Sequence, residues 1–258
     1  MVLMQAIVLG IVQGLTEFLP VSSSAHLILV PKLFNWQEHT LFFDTALHLG
    51  TACAVIVYFA KDWLRIVKNK NYVLKVLIGI FPAGILGFLF SDFIEVETRS
   101  ISIISITLIA GTAVMLFSEK IFKQATSLKT NVSIRDSLFI GVMQMLAILP
   151  GMSRSGMTIS GGFLRKIKKD EAVKFSFYLA TPIIFGAAIY SFIKSFKNFG
   201  GLGFLESSFA VGFITSFVIG LLTIRFMIEY IRKRGFRIFL IYRLLLALFI
   251  CLKSYPNT

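Results

Sequence analysis

Apolar runs long enough to cross a bilayer, about 17–25 residues, recur near 41–60, 74–91, 100–118, 172–192, 203–224 and 236–252. Two further apolar runs, near 1–35 and 136–164, are interrupted midway by Pro and a Ser cluster: LPVSSSAH at 19–26 and LPGMSRSGMT at 149–158. Each arm of these runs covers about half a membrane, and non-helical backbone at that depth must be buried in protein or line a wet cavity. The pattern predicts about six transmembrane helices and two re-entrant helix hairpins. The plain alternative for each hairpin is a full span kinked at its Pro. The expected fold is an all-α polytopic membrane protein, one integral membrane domain over residues 1–258.

Composition agrees. Of 258 residues, 56% are hydrophobic and 15% charged, against about 45–50% and roughly 25% in soluble domains. The mean hydropathy is +0.82, and 27 Phe suit a lipid-facing surface better than a watery one. A net charge of +13 raises the question of nucleic acid. The basic residues sit in short clusters between apolar runs, however, as in cytoplasmic membrane loops, so no nucleic acid partner is expected. Cys53 and Cys251 lie inside apolar stretches, which gives a disulfide framework or metal site no support. No Lys or Arg precedes Lys32, and Gln13 and Glu17 break the first apolar run. That run is therefore expected to stay in the mature protein rather than to serve as a signal peptide.

The basic clusters orient the chain. Lys61, Arg65, Lys68, Lys70 and Lys75 occupy one loop, while Asp92, Glu95 and Glu97 dominate the next. Lys120, Lys123, Lys129 and Arg135, then Arg165, Lys166, Lys168 and Lys169, then Arg225, Arg232, Lys233, Arg234 and Arg237 follow. With alternating loops all the basic clusters land on one side, which the positive-inside rule makes cytoplasmic. The first hairpin and both termini are then expected outside, with the second hairpin opening inward.

The two hairpins look like copies. GIVQGLTEFLPVSSSA (10–25) lies over GVMQMLAILPGMSRSG (141–156) once one residue is skipped before the Pro. Gln13 then pairs with Gln144, Pro20 with Pro150 and Ser24 with Arg154, and LGT at 49–51 pairs with LAT at 179–181. Small-residue ladders, Gly79, Ala83, Gly87 and Gly212, Ser216, Gly220, mark one later span in each half for close packing. Each half, about 1–118 and 134–253, holds one hairpin and three spans. An odd number of crossings makes the repeat inverted, and such folds place their site where the broken elements meet near the midplane.

Ionisable residues inside a membrane default to function. Glu17 stands one turn after Gln13, so both share a helix face just before the first break; the bland reading is a helix cap or a Lys partner. His26 follows Ser22-Ser23-Ser24 and is read as facing Glu17, whereas His39 and His48 read as packing residues. Arg154, between Ser153 and Ser155 at a helix-starting turn, is a natural receptor for phosphate oxygens; its bland reading is snorkelling to a head group. Arg243, in IYRLLL, could snorkel and is left unassigned. If the breaks meet, a carboxylate, an imidazole, a guanidinium and several hydroxyls converge. A phosphate ester with a divalent cation satisfies them all, and carboxylate and amide oxygens from Glu17 and Gln13 suit Mg²⁺ or Ca²⁺. No HxxxH or Cys–His spacing suggests zinc.

QGLTEFLPVSSSAH resembles the (Glu/Gln)xxxE motif and Ser-rich turn of the undecaprenyl-diphosphatase, or bacitracin-resistance, family, and PGMSRSGMT resembles that family's PGxSRSxxT signature. The likeness covers nearly the whole chain. It implies a membrane phosphatase that removes the terminal phosphate of undecaprenyl diphosphate, yielding the carrier lipid of wall synthesis, with Mg²⁺ or Ca²⁺ as cofactor. Residue by residue it implies Glu17, His26 and Arg154 as the catalytic trio and Ser23 as a candidate nucleophile. Gln13, Ser22, Ser24, Ser153, Ser155 and Thr158 are expected to bind substrate, and Glu17 with Gln13 to hold the metal. The first motif position is Gln13 rather than Glu, one negative charge fewer. Expected partners are the prenyl diphosphate lipid and membrane lipid, with the oligomeric state open, a homo-oligomer included. The expected location is the cell membrane, with the catalytic cavity opening to the outer face. The rival from another class is a transporter or lipid flippase, since inverted repeats with broken helices also build transporters.

Overall fold

A computed structural model of the chain describes residues 2–37, 39–90, 98, 100–199 and 207–254. Among these, eleven helices account for the architecture: α1 (Leu3–Thr16), α2 (Ser23–Leu33), α3 (Leu41–Tyr58), α4 (Ala60–Lys68), α5 (Lys70–Leu89), α6 (Ile101–Lys123), α7 (Ile134–Leu146), α8 (Arg154–Leu164), α9 (Lys169–Phe199), α10 (Ser207–Arg234) and α11 (Arg237–Ser254). Four of them, α5, α6, the first part of α9 and α10, are long and apolar enough to cross a membrane, and α3 with α4 makes a fifth, bent candidate. The sixth expected span, α11, is 18 residues long but carries Arg237, Arg243 and Lys253, which dilute its apolar character. The acidic loop at 92–97 and the start of the span at 203–206 lie outside the described residues.

Both interrupted runs are helix–turn–helix hairpins, α1–α2 and α7–α8. Polar caps set many helix starts: Thr40 accepts from Phe43 N–H at 3.3 Å, Ser100 from Ile103 at 3.3 Å, and Ser133 with Asp136 forms a reciprocal capping box. The basic stretch expected as a loop at 61–73 instead begins with α4, bent by 74° from α3. Asp62 in its first turn and Arg65 and Lys68 in its last complement the helix dipole. Trp63 and Ile66 pack inward while Leu64 and Val67 stay exposed, the arrangement of a helix lying along an interface.

The halves grip each other reciprocally. In one direction α10 lies along α1, and in the other α5 lies along α7. Both contacts depend on glycine. A Cβ on Gly10 would fall 2.7 Å from Thr215 Cβ, and one on Gly14 2.7 Å from Ile219 Cβ. A Cβ on Gly141 would fall 2.5 Å from the Gly79 carbonyl. The ladders are therefore real helix contacts at Gly79, Gly212 and Gly220, but not at Gly87, which faces open space.

The residue skip drawn between the hairpins is not what the backbone does. The same offset separates Leu3 from Ile134, Ser23 from Arg154 and Leu33 from Leu164. Ser22 and Ser153 are the equivalent positions before α2 and α8, with left-handed φ of 76° and 73°. Arg154 thus matches Ser23, not Ser24. Helix starts, rather than the prolines, set the register of the two hairpins.

The basic clusters also collect. Asp136, fully buried, takes Lys129 at 2.8 Å and Arg165 at 2.7 Å. Main-chain bonds join Lys129 to Lys166 and Lys168. Glu119 holds Lys123 at 3.3 Å and the Phe236 N–H at 3.3 Å. The clusters around 120–135, 165–169 and 232–237 therefore share one end of the molecule.

Candidate active site

The two breaks interlock, and their hydroxyls do most of the joining. Ser22 Oγ accepts from the Gly151 N–H at 3.0 Å, and Ser155 Oγ donates to the Leu19 carbonyl at 3.1 Å. Each turn thus uses a serine to hold the backbone of the other. The N-termini of α2 and α8 both begin in this region, and the first N–H groups of a helix lack intrahelical partners, a setting that favours anions. Left-handed backbone at Ser22 and Ser153 is strained for residues with a Cβ, and such strain concentrates at functional sites.

Glu17, at the end of α1 and buried, is the hub. Arg154 Nη2 donates to Glu17 Oε1 at 3.0 Å. Ser23 Oγ donates to Glu17 Oε2 at 2.7 Å, and Gln13 Nε2 to the same oxygen at 3.1 Å. The expected approach of Glu17 and Arg154 across the hairpins is thus present as a direct ion pair. Among the described residues, two buried atoms beside it lack a partner: Arg154 Nη1, a donor, and Gln13 Oε1, an acceptor. An anion answers the first and a cation or water the second.

Not every expected residue joins this hub. The His26 ring stacks on Tyr242, with Nε2 2.6 Å from the Tyr242 hydroxyl and Nδ1 2.7 Å from the Ser22 carbonyl. Both ring nitrogens are occupied, and the Ser23 hydroxyl goes to Glu17 rather than to His26. Thr158 is fully buried and bonds Ser176 Oγ at 2.6 Å and the Arg154 carbonyl at 2.9 Å. Ser153 caps α8 through Gly156 N–H at 3.2 Å. Ser22, Ser153 and Ser155 therefore shape the turns, while Ser24 is exposed to a cavity.

His48, read as packing from the sequence, is at the site instead. Its Nδ1 lies 2.9 Å from Gln13 Nε2 and 3.9 Å from Glu17 Oε2. The sequence did hold a signal for it: Asp44, His48 and Thr51 recur at helical spacing along one face of α3. Tyr242 and Arg243 were missed as site neighbours for a different reason, since only folding brings α11 to the breaks.

A cavity of about 1350 Å³ adjoins the hub, with Ser24 and His48 among its walls. Its other lining is mainly apolar, from α5 (Leu77, Phe81, Phe88) and α9 (Ile183, Tyr190), and Lys32, His39 and Asp44 also reach it. Gly84, Gly87 and Gly186 face open space on these two helices. Glu17 and Arg154 are not part of the lining; Glu17 reaches it through His48, 3.9 Å away. A mainly apolar cavity with Ser24, Lys32, His39, Asp44 and His48 among its walls suits a lipid whose head group is polar.

The family model of the bacitracin resistance protein BacA matches residues 6–249. The chain belongs to that family. Among its relatives, the undecaprenyl-diphosphatase of Caldicellulosiruptor bescii is 44% identical over 253 residues, covering 94% of each chain. Those of Desulforudis audaxviator and Thermodesulfovibrio yellowstonii are 42% and 41% identical over 253 residues, each covering at least 95% of both chains. Membership fits the architecture found here, several apolar helices around two interlocked breaks, and makes the chain a multi-pass membrane protein.

Proposed function

We propose that this protein is an undecaprenyl-diphosphate phosphatase, which hydrolyses the lipid diphosphate to the monophosphate carrier used in peptidoglycan synthesis. The observation that carries this reading is the Glu17–Arg154 ion pair, with a Ser23 hydroxyl aimed at the carboxylate and a free guanidinium nitrogen beside it. Transport alone requires no nucleophile held against a base.

In this reading the terminal phosphate sits against Arg154 Nη1 and the N-terminal N–H groups of α2 and α8, which offset charge developing in the transition state. Ser23 Oγ attacks the terminal phosphorus as Glu17 Oε2 takes its proton, and the bond to the bridging oxygen breaks to release the lipid monophosphate. Glu17 passes that proton to the departing bridging oxygen and is a carboxylate again; water then attacks the phosphoserine, giving its proton to Glu17, which returns it to Ser23 Oγ as inorganic phosphate leaves. His26, held by Tyr242 and the Ser22 carbonyl, keeps the first turn in shape and stands ready as a proton carrier through Tyr242. The prenyl chain occupies the apolar cavity. Among the described residues no cluster of three or more His, Cys, Asp or Glu could hold a metal alone. Glu17 and the unpartnered Gln13 Oε1 nevertheless offer two hard oxygens, enough for Mg²⁺ or Ca²⁺ shared with substrate phosphates and water. Such an ion would neutralise phosphate charge and orient the oxygens.

Purified protein in detergent, given undecaprenyl diphosphate and Mg²⁺, should release inorganic phosphate. Absence of release from monodisperse protein would overturn the reading.

We also place the basic end in the cytoplasm and the cavity's outlet on the outer side of the cell membrane. The support is the collection of Lys and Arg at one end, the signature of cytoplasmic loops. In a background lacking Cys53 and Cys251, a Lys68→Cys protein in intact cells should resist an impermeant thiol reagent, and a Phe34→Cys protein should react. The reverse order would defeat this orientation.

A further inference from the structure

Arg243 lies in α11 and is fully buried, at 0% exposure. An Arg in an apolar helix either reaches the interface along its own stem or is held by partners within the protein. Here it is held. Nε donates to Thr112 Oγ1 at 2.9 Å, and Nη2 to the carbonyls of Leu108 at 3.0 Å and Gly151 at 2.8 Å. Nη1 reaches the Pro20 carbonyl at 3.4 Å. None of these acceptors is a carboxylate.

A guanidinium buried among neutral oxygens is a costly way to fill space, and apolar residues of similar volume often replace buried ionic groups without loss of stability. What an apolar residue lacks is a grip on two separate turns. Pro20 follows Glu17 in the first break, and Gly151 precedes Arg154 in the second. The second turn is held from another side as well, because the Gly151 N–H is bonded to Ser22 Oγ. Room for the guanidinium comes from Gly111 of α6, where a Cβ would strike Arg243 Nη2 and lie 2.9 Å from the Met152 carbonyl. The neighbouring Tyr242 holds His26, so two adjacent residues of α11 brace the site from behind.

We propose that Arg243 is a positioning residue for the reaction: by holding the Pro20 and Gly151 carbonyls on one guanidinium, it sets the placement of Glu17 relative to Arg154. It touches neither of them, nor the cavity. The inference rests on the phosphatase reading above. Small misplacements of reacting groups, of about 1 Å, lower turnover by up to about a hundredfold, so a loosened brace should act on kcat more than on KM.

The test compares Arg243→Lys with Thr112→Val in the full-length protein in detergent, using undecaprenyl diphosphate, Mg²⁺ and thermal unfolding. Lysine keeps the charge but lacks the fork that spans both carbonyls. Valine at 112 removes one anchor and leaves both turn contacts intact. Both variants should unfold at lower temperature than the wild type. Only Arg243→Lys should lose kcat, by at least about tenfold, with KM within about twofold. Wild-type kcat in folded Arg243→Lys, or an equal loss of kcat in Thr112→Val, would overturn the proposal. Should Arg243→Lys not fold, Gly111→Ala tests the same point: it crowds Nη2 with the guanidinium still present and should lower kcat likewise, while unchanged kcat there would also refute the role. A wild-type protein releasing no phosphate would instead refute the phosphatase reading itself.

Discussion

Arg154→Lys is expected to lower phosphate release at saturating lipid diphosphate by about two to three orders of magnitude, the usual cost of removing a transition-state donor. Arg154 has one partner and one open donor. Nη2 donates to Glu17 at 3.0 Å, and Nη1, in the same rigid plane, is buried without a partner among the described residues. An ammonium is a point donor on a flexible stem and cannot hold both positions in fixed geometry. The charge survives, so substrate should still be attracted, and the loss should fall on turnover. The check is steady-state phosphate release, with folding confirmed by monodisperse elution. Near-normal turnover would mean that Arg154 acts only as a positive charge.

Glu17→Gln should do at least as much damage, because three separate contacts depend on one carboxylate. Arg154 would lose its counter-charge and Ser23 its acceptor with proton affinity, and the proposed cation would lose a carboxylate oxygen. Leaving a largely buried guanidinium unpaired also destabilises, by about 3 kcal/mol for pairs of this kind, so the melting temperature must be measured beside activity. A folded Glu17→Gln protein with near-normal turnover across a Mg²⁺ titration would overturn both the base and the metal role given to Glu17. The companion change Gln13→Glu should be mild only when the cation is present. The amide now donates to Glu17 at 3.1 Å, and a second carboxylate there would repel Glu17 unless a cation lay between them. Activity of that variant should therefore collapse on chelation and return with added Mg²⁺.

The sequence by itself determined the membrane class, the two broken hairpins and the central pair. These are local properties: apolar runs have a length, Pro and Ser clusters interrupt them at definite positions, and an ionisable residue beside an interruption is too costly to keep without a use. Glu17 and Arg154 were legible for that reason, as were the motifs that mark the family. Tertiary structure decided which polar groups meet. The serines could not be sorted from sequence, because a hydroxyl that binds substrate and one that latches a neighbouring turn look alike until the Ser22–Gly151 and Ser155–Leu19 bonds are seen. His26 was expected to face Glu17, yet Tyr242, far along the chain on α11, captures its ring. His48 was expected to pack, yet the crossing of α1 and α3 sets it against Gln13. Arg243 had no assignment, and packing alone converts it from a snorkelling residue to one buried against both turns. In each case the partner lies on another helix, and no pattern along one helix states which face of another will cover it.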